Sequence, residues 1–270
     1  MVKDESDIVV DWVFYHGSIF GFKNLYIIDN YSTDGTYEKL LKLKPMGIHL
    51  SRKHNYWKKG EYMTWYYNNC CAPEDIAYPI DIDEFIVHYD KKENKISTNK
   101  HSILNYLHNL PNSVLYKTNY IHAMPNQEAP NGFTRASAEC SRGLYENYTK
   151  HAKSFMKKKF YNGHIDHGNH IPIKNYYMTD LCLVHFHTRN LEQFKKKIYN
   201  NVKGFDYPVD NPTKLRELLQ SDPNCAGNHH VKNQIKVLEN TLQLPCHHYS
   251  PGGGVDLTPL NDFIKQIEHK

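Results

Sequence analysis

The chain has 270 residues, 40% of them hydrophobic, with 33 Lys and Arg against 29 Asp and Glu for a net charge of +4. That length suits one large domain or a domain with an appendage, and the apolar content is enough to bury a core. The charge is too mild and dispersed to mark a nucleic-acid binder, no run of 18 apolar residues marks a membrane span, and the start MVKDESD lacks the apolar segment of a secretion signal, so a soluble cytoplasmic chain is expected.

Residues 6–20, SDIVVDWVFYHGSIF, place Ile8, Val9, Trp12, Val13, Ile19 and Phe20 on one stripe at helical spacing, with Ser6 or Asp7 as the cap. This predicts an amphipathic helix that ends at Gly21. NLYIIDN (24–30) is a β-rich run closed by polar turn residues, and STDGTYEKLLKLK then offers a cap and a second helix. The alternation continues with a strand near GIHLSRK, a helix near KGEYMTWYYNNCC, one strand through DIAYPIDIDEF, a helix over 100–109 and the strand SVLYKTNYIHA. Residues 124–153 read as a polar loop suited to covering a substrate. Strands follow at KSFMKKKFY and YYMTDLCLVHFH, then a helix at NLEQFKKKIYNNV. Two more helices are predicted at 212–220 and 230–243, and SPGGG separates them from a final short helix. Strand and helix in alternation is the grammar of an α/β sheet. Six cysteines without a CxxC spacing suit reduced thiols rather than a disulfide framework.

Carboxylates are the candidate functional groups. Asp29 ends a strand where open α/β sheets bind ligands, and with Asn30, Ser32, Thr33 and Asp34 it makes a loop rich in acceptors, suited to a base or ribose or simply to a turn and helix cap. Asp81 and Asp83 interrupt an apolar run, and as alternate residues of a strand they would share one face. Two carboxylates that close repel, and Mg²⁺ or Mn²⁺ is the natural compensation, although Asp-x-Asp also arises by chance. His185 and His187 would share a face at the end of the last long strand and could complete a metal's coordination or meet a phosphate. The run KSFMKKKF and Arg189 could offer cations to a diphosphate, with a solvated face as the plainer reading of Lys157 to Lys159. The histidines of HIDHGNH, CAGNHH and CHHYS match no zinc spacing, but Asp166, between His164 and His167, is a candidate general base.

In that order, VKDESDIVVDWVFYH, GFKNLYIIDNYSTDGT, PIDIDEF and VHFHTRNLEQFKKK resemble the GT-A-fold glycosyltransferases related to glycosyltransferase family 2, in particular its DUF23-like branch, over most of residues 2–200. The resemblance implies a Rossmann-like, mainly parallel mixed sheet flanked by helices over 1–205, and a mostly helical extension over 206–270 packed on the same domain. It implies that Asp29 holds the nucleotide's base or ribose, that Asp81 and Asp83 form a DxD site for metal and sugar diphosphate, and that His185 stands near that metal. Lys3, Glu5, Asn30 and Asp34 then belong to the donor pocket, whose first strand, expected before the Lys-x-Glu segment, is short or missing in a chain that begins Met1-Val2-Lys3. The activity implied is inverting transfer, dependent on Mn²⁺ or Mg²⁺, of a sugar from a UDP-sugar or similar donor to a glycan hydroxyl. Asp166 is the candidate base, and Glu84 supports the loop or an acceptor hydroxyl. The alternative is a non-catalytic protein that binds carbohydrate or nucleotide-sugar on the same scaffold.

Overall fold

A computed structural model describes residues 1–125, 141–147, 152–161, 165, 168–169, 175–245, 247 and 253–268. Helix α1 (Val9–Phe20) buries Val9, Asp11, Trp12, Val13, Tyr15, His16 and Ile19, so it is a core helix enclosed nearly all round, not the one-sided helix expected. Its start is also built differently. Ile8 holds the cap position without a side-chain bond, and the amides of Ile8 and Val9 donate to the Glu5 carbonyl at 3.2 and 3.0 Å.

Strand β1 (Tyr26–Asp29) pairs in parallel with β2 (His49–Arg52) through the crossover helix α2 (Thr36–Leu43). The short first strand is present as one parallel bridge between Val2 and Asp29. Helix α3 (Lys59–Cys70) follows.

The single strand expected through DIAYPIDIDEF is broken. Strand β3 (Ile76–Ala77) stops before Pro79, which has no N–H for a ladder, and β4 begins only at Glu84 (Glu84–Asp90). Between them the Glu84 amide donates to the Asp81 carbonyl at 3.1 Å, so Asp81 and Asp83 belong to a turn, not to one strand face.

The remaining elements of this region are β5 (Lys95–Ser97), α4 (Lys100–His108), β6 (Tyr116–Ala123), β7 (Arg142–Glu146), β8 (Lys153–Lys157) and β9 (Tyr177–His185). Near the chain end come β10 (Val255–Asp256) and the last helix, Thr258–Glu268. The main sheet runs β3-β8-β6-β7-β10-β5-β4-β9, and β9 pairs in addition with β6, closing a ring of strands. The fold is therefore mixed α/β, but the expected mainly parallel sheet is mainly antiparallel among the described residues. Parallel pairing is confined to β1–β2, β6–β9 and the single β5–β10 contact, apart from the Val2 bridge. The four residues between β4 and β5 explain one such pair, because so short a connection can only return the chain antiparallel.

Two compact units divide the chain. The first comprises Met1–Ala123, Arg135–Phe186 and Tyr249–Lys270; the second comprises Met124–Thr134 and His187–His248. The last helix belongs to the unit that holds the sheet. Within the second unit, α5 (Leu191–Gly204), α6 (Pro212–Ser221) and α7 (Asn228–Leu238) enclose Phe194, Ile198, Val202, Leu215 and Val231. Asn190 and Asn211 cap the first two by accepting from Gln193 and Lys214 amides.

Candidate active site

The turn before β4 is fixed from two sides. From α1, the Trp12 indole N–H donates to the carbonyls of Asp81 (3.1 Å) and Glu84 (3.0 Å), and the Tyr15 hydroxyl donates to the Ile86 carbonyl at 2.6 Å. His16 accepts the Ile86 amide at Nε2 (3.3 Å) while its Nδ1 faces the Trp12 carbonyl at 3.0 Å, which sets a neutral imidazole. Burial drives the His16 pKa down to about 3. From within the turn, Glu84 accepts the Asp81 amide at Oε2, 2.7 Å away.

Asp81 is held by two ammonium groups. Lys59, at the first position of α3, reaches Oδ1 at 2.7 Å, and Lys153, at the start of β8, reaches Oδ2 at 2.8 Å. Lys153 also lies 3.4 Å from Glu84 Oε1. The Lys59, Lys153 and Glu84 side chains are 6%, 3% and 1% exposed, whereas Asp81 is 33% exposed. Burial alone would raise the Asp81 pKa, but Lys153 and Lys59 outweigh it and hold the carboxyl well below its usual range. Burial raises the pKa of Glu84, with the Lys153 charge opposing the rise. For Lys153 itself burial works against the charge, and the carboxylates of Asp81 and Glu84 more than offset it.

Asp83 faces another partner. His185 Nε2 is 3.4 Å from Asp83 Oδ2, and the Phe186 amide donates to the Asp83 carbonyl at 2.8 Å, tying the turn to the end of β9. The register places Glu84 and His122 opposite His185 on the two flanking strands. The His122 ring is 5.5 Å from that of His185, and His122 Nε2 is 3.5 Å from Glu146 Oε2 on β7. Burial first, and the charge of His185 second, lower the His122 pKa to about 4.

The β1 end carries the other predicted residues. Asp29 is fully buried; Arg52 Nε donates to its Oδ2 at 2.8 Å, and the Ser32 amide donates to it at 3.2 Å. Arg52 is partly exposed there, and its guanidinium lies over the rings of Tyr31 (4.4 Å) and Tyr37 (3.8 Å). Tyr31 in turn stacks on His54 at 3.4 Å. Asn30 donates its amide to the carbonyls of Lys53 and His54, and Lys3 donates to the Tyr31 carbonyl. Asp34 receives the Thr36 amide (3.0 Å) and hydroxyl (2.5 Å) and the Ser6 amide (3.1 Å). Burial opposes ionisation of Asp34, yet those bonds from Thr36 and Ser6 bring its pKa down to about 2. The Glu5 amide donates to the Thr36 hydroxyl at 2.9 Å.

His187 does not share a strand face with His185. It lies past the end of β9 in the second unit, with its ring 6.1 Å from Phe194 and 6.5 Å from His230. Arg189, in the same unit, is fully buried. Lys157 and Lys159 pair with Glu74 at the surface, as a solvated face should. Asp166, His164 and His167 lie outside the described residues. Among the described residues no three His, Cys, Asp or Glu side chains converge as a metal cage.

Sequence reasoning missed Lys59, His122 and Glu146. Lys153 was visible only as the first lysine of a basic run, with nothing to separate it from its surface neighbours. Its alternation with Phe155 offered no help, since both side chains are buried.

No protein-family model and no curated protein sequence matches the chain. Among solved structures it is similar to the crystal structure of S. aureus TarS, with a TM-score of 0.37 and 10% identity over 89% of this chain and 42% of that one. For S. aureus TarS 1-349 the TM-score is 0.36 and the identity 11%, over 87% of this chain and 67% of that one. The chain thus spans less than half the length of the longer TarS chain.

Proposed function

We propose that the protein is a GT-A-like glycosyltransferase that moves a sugar from a nucleotide-sugar, a UDP-sugar in the first instance, to a glycan hydroxyl with inversion at C1. The observation that supports this most is the 81–84 turn, which sets the Asp83 carboxylate 3.4 Å from the His185 imidazole and the Asp81 carboxylate against two buried ammonium groups.

A hard divalent ion bound with a diphosphate takes only one or two protein ligands, because phosphate oxygens and water complete its shell. Asp83 and His185 fit that requirement and would hold Mn²⁺ or Mg²⁺. Asp81, with each oxygen on an ammonium group, does not fit it in this arrangement. The ion would supply neutralisation of the diphosphate as the C1–O bond breaks.

The chain's own groups do the rest. Lys59 and Lys153 place fixed positive charge beside the leaving group, and Arg52, oriented by Asp29, presents its guanidinium with Tyr31 and Tyr37 to the nucleoside. Asn30, Lys3, Asp34 and Glu5 shape the backbone around that subsite. Glu84 is too deeply buried to meet an acceptor and acts as a positioning residue for Asp81, while Asp166 is kept as the base for the acceptor hydroxyl.

Calorimetric titration of UDP, GDP and several UDP-sugars with and without Mn²⁺ tests the reading. One nucleotide should bind in a metal-dependent way, about tenfold or more weaker in Asp83→Ala, as expected for loss of a charged ligand. No binding of any nucleotide in either condition would overturn it. Binding without release of free nucleotide in the presence of acceptor glycans would favour the non-catalytic alternative.

A further inference from the structure

The two lysines are more than counter-ions to a motif. Their side chains are almost fully buried, and both ammonium groups contact the Asp81 carboxylate, whose side chain is a third exposed. A carboxylate gripped by two separate cations, one on each oxygen, has the geometry of a phosphate gripped by the same pair. We propose that Asp81 is an internal placeholder in an anion site: Lys59 and Lys153 bind two oxygens of a phosphate or diphosphate group, and the Asp81 carboxylate occupies that position until such a ligand displaces it. The assignment of the ligand to a sugar-nucleotide's diphosphate rests on the function proposed above.

Three features suit Asp81 to such an exchange. It lies outside β3 and β4, where no ladder bond pins it. Its backbone is held independently of its side chain, because Glu84 accepts its amide and Trp12 donates to its carbonyl. Finally, Lys153 has a second carboxylate partner in Glu84, so Asp81 can turn away without leaving that ammonium unpaired, while the Lys59 and Lys153 charges it held become available to a ligand. Those two ammonium groups are what an incoming anion would meet.

The test is calorimetric titration with pyrophosphate, and separately with UDP, in the presence of a chelator and no divalent metal. If Asp81 is the placeholder, Asp81→Asn should bind pyrophosphate about tenfold tighter than the wild type, since a competing charge at contact distance has gone. Adding Lys59→Met to that variant should abolish the gain. Asp81→Ala provides a second route should the asparagine variant fold poorly, and a rise in melting temperature on adding pyrophosphate checks both in their folded state. Equal or weaker binding in both variants, or a gain that survives Lys59→Met, would overturn the proposal. A gain for pyrophosphate but not for UDP would place free phosphate, not a nucleotide, on the lysines. The donor assignment can fail separately: pyrophosphate binding that strengthens as described while no nucleotide-sugar binds leaves the anion site standing.

Discussion

Removing the Lys153 ammonium would take a buried cation from both Asp81 and Glu84, while Lys59 would still contact Asp81. Breaking a buried ion pair from one side is costly because the remaining charge stays desolvated. Lys153→Met is therefore expected to destabilise the first unit by about 3 kcal/mol, measured by urea unfolding. Adding Glu84→Gln should recover part of the loss, because it removes one of the two buried carboxylate charges that Lys153 compensates. Lack of recovery would mean that Lys153 acts through its packing against the sheet and not through charge. At the same scale, Asp83→Ala should cost nucleotide affinity while leaving the unfolding midpoint near that of the wild type. Its Oδ2 faces the His185 imidazole at 3.4 Å.

Among the elements, α1 and the β6–β7 pair decide where the site residues stand. Trp12, Tyr15 and His16 spend their polar atoms on the backbone of the turn and β4, so one helix fixes the position of Asp81 and Glu84. On the other side, Gly143 of β7 lies so close to β6 that an added Cβ would sit 2.5 Å from Ile121 Cγ2 and 3.3 Å from the His122 carbonyl. Gly143→Ala is expected to push β7 off β6 and cost about 2 kcal/mol, as overpacking does. Thermal or urea unfolding measures the cost, and an unchanged midpoint would show that Ile121 can give way. Helix periodicity was easy to read in this chain: α2, α3, α4, α5 and α6 lie where the apolar spacing places them, while α7, expected over 230–243, ends at Leu238. The broken strand before β4 was harder, because the apolar residues around Asp81 and Asp83 continue through the break and only Pro79 marks it.

Across the described residues, buried neutral histidines contribute to the response to acid. His16, His122 and His230 have pKa values lowered by burial to about 3, 4 and 3. Their unfolded value is 6.5, so between that pH and the folded values the unfolded chain binds more protons. Stability should thus be full above about pH 6.5 and fall as the pH drops towards 4. Urea midpoints across that range measure the slope, which His16→Gln should flatten; an unchanged slope in that variant would remove His16 from the account.

The sequence by itself determined the mixed α/β class, most helices, and the run of segments that brings Asp29, Asp81, Asp83 and His185 into view, because periodicity and strand-end position are local properties. Tertiary structure decided the rest. Strand direction and the ring closed by β9 depend on pairings between distant segments, which no local pattern encodes. Lys59 lies 22 residues from Asp81 in sequence and Lys153 lies 72, yet both end on its carboxylate. That contact, made only when α3 and β8 fold against the turn, converts an acidic motif into a charge-balanced cluster.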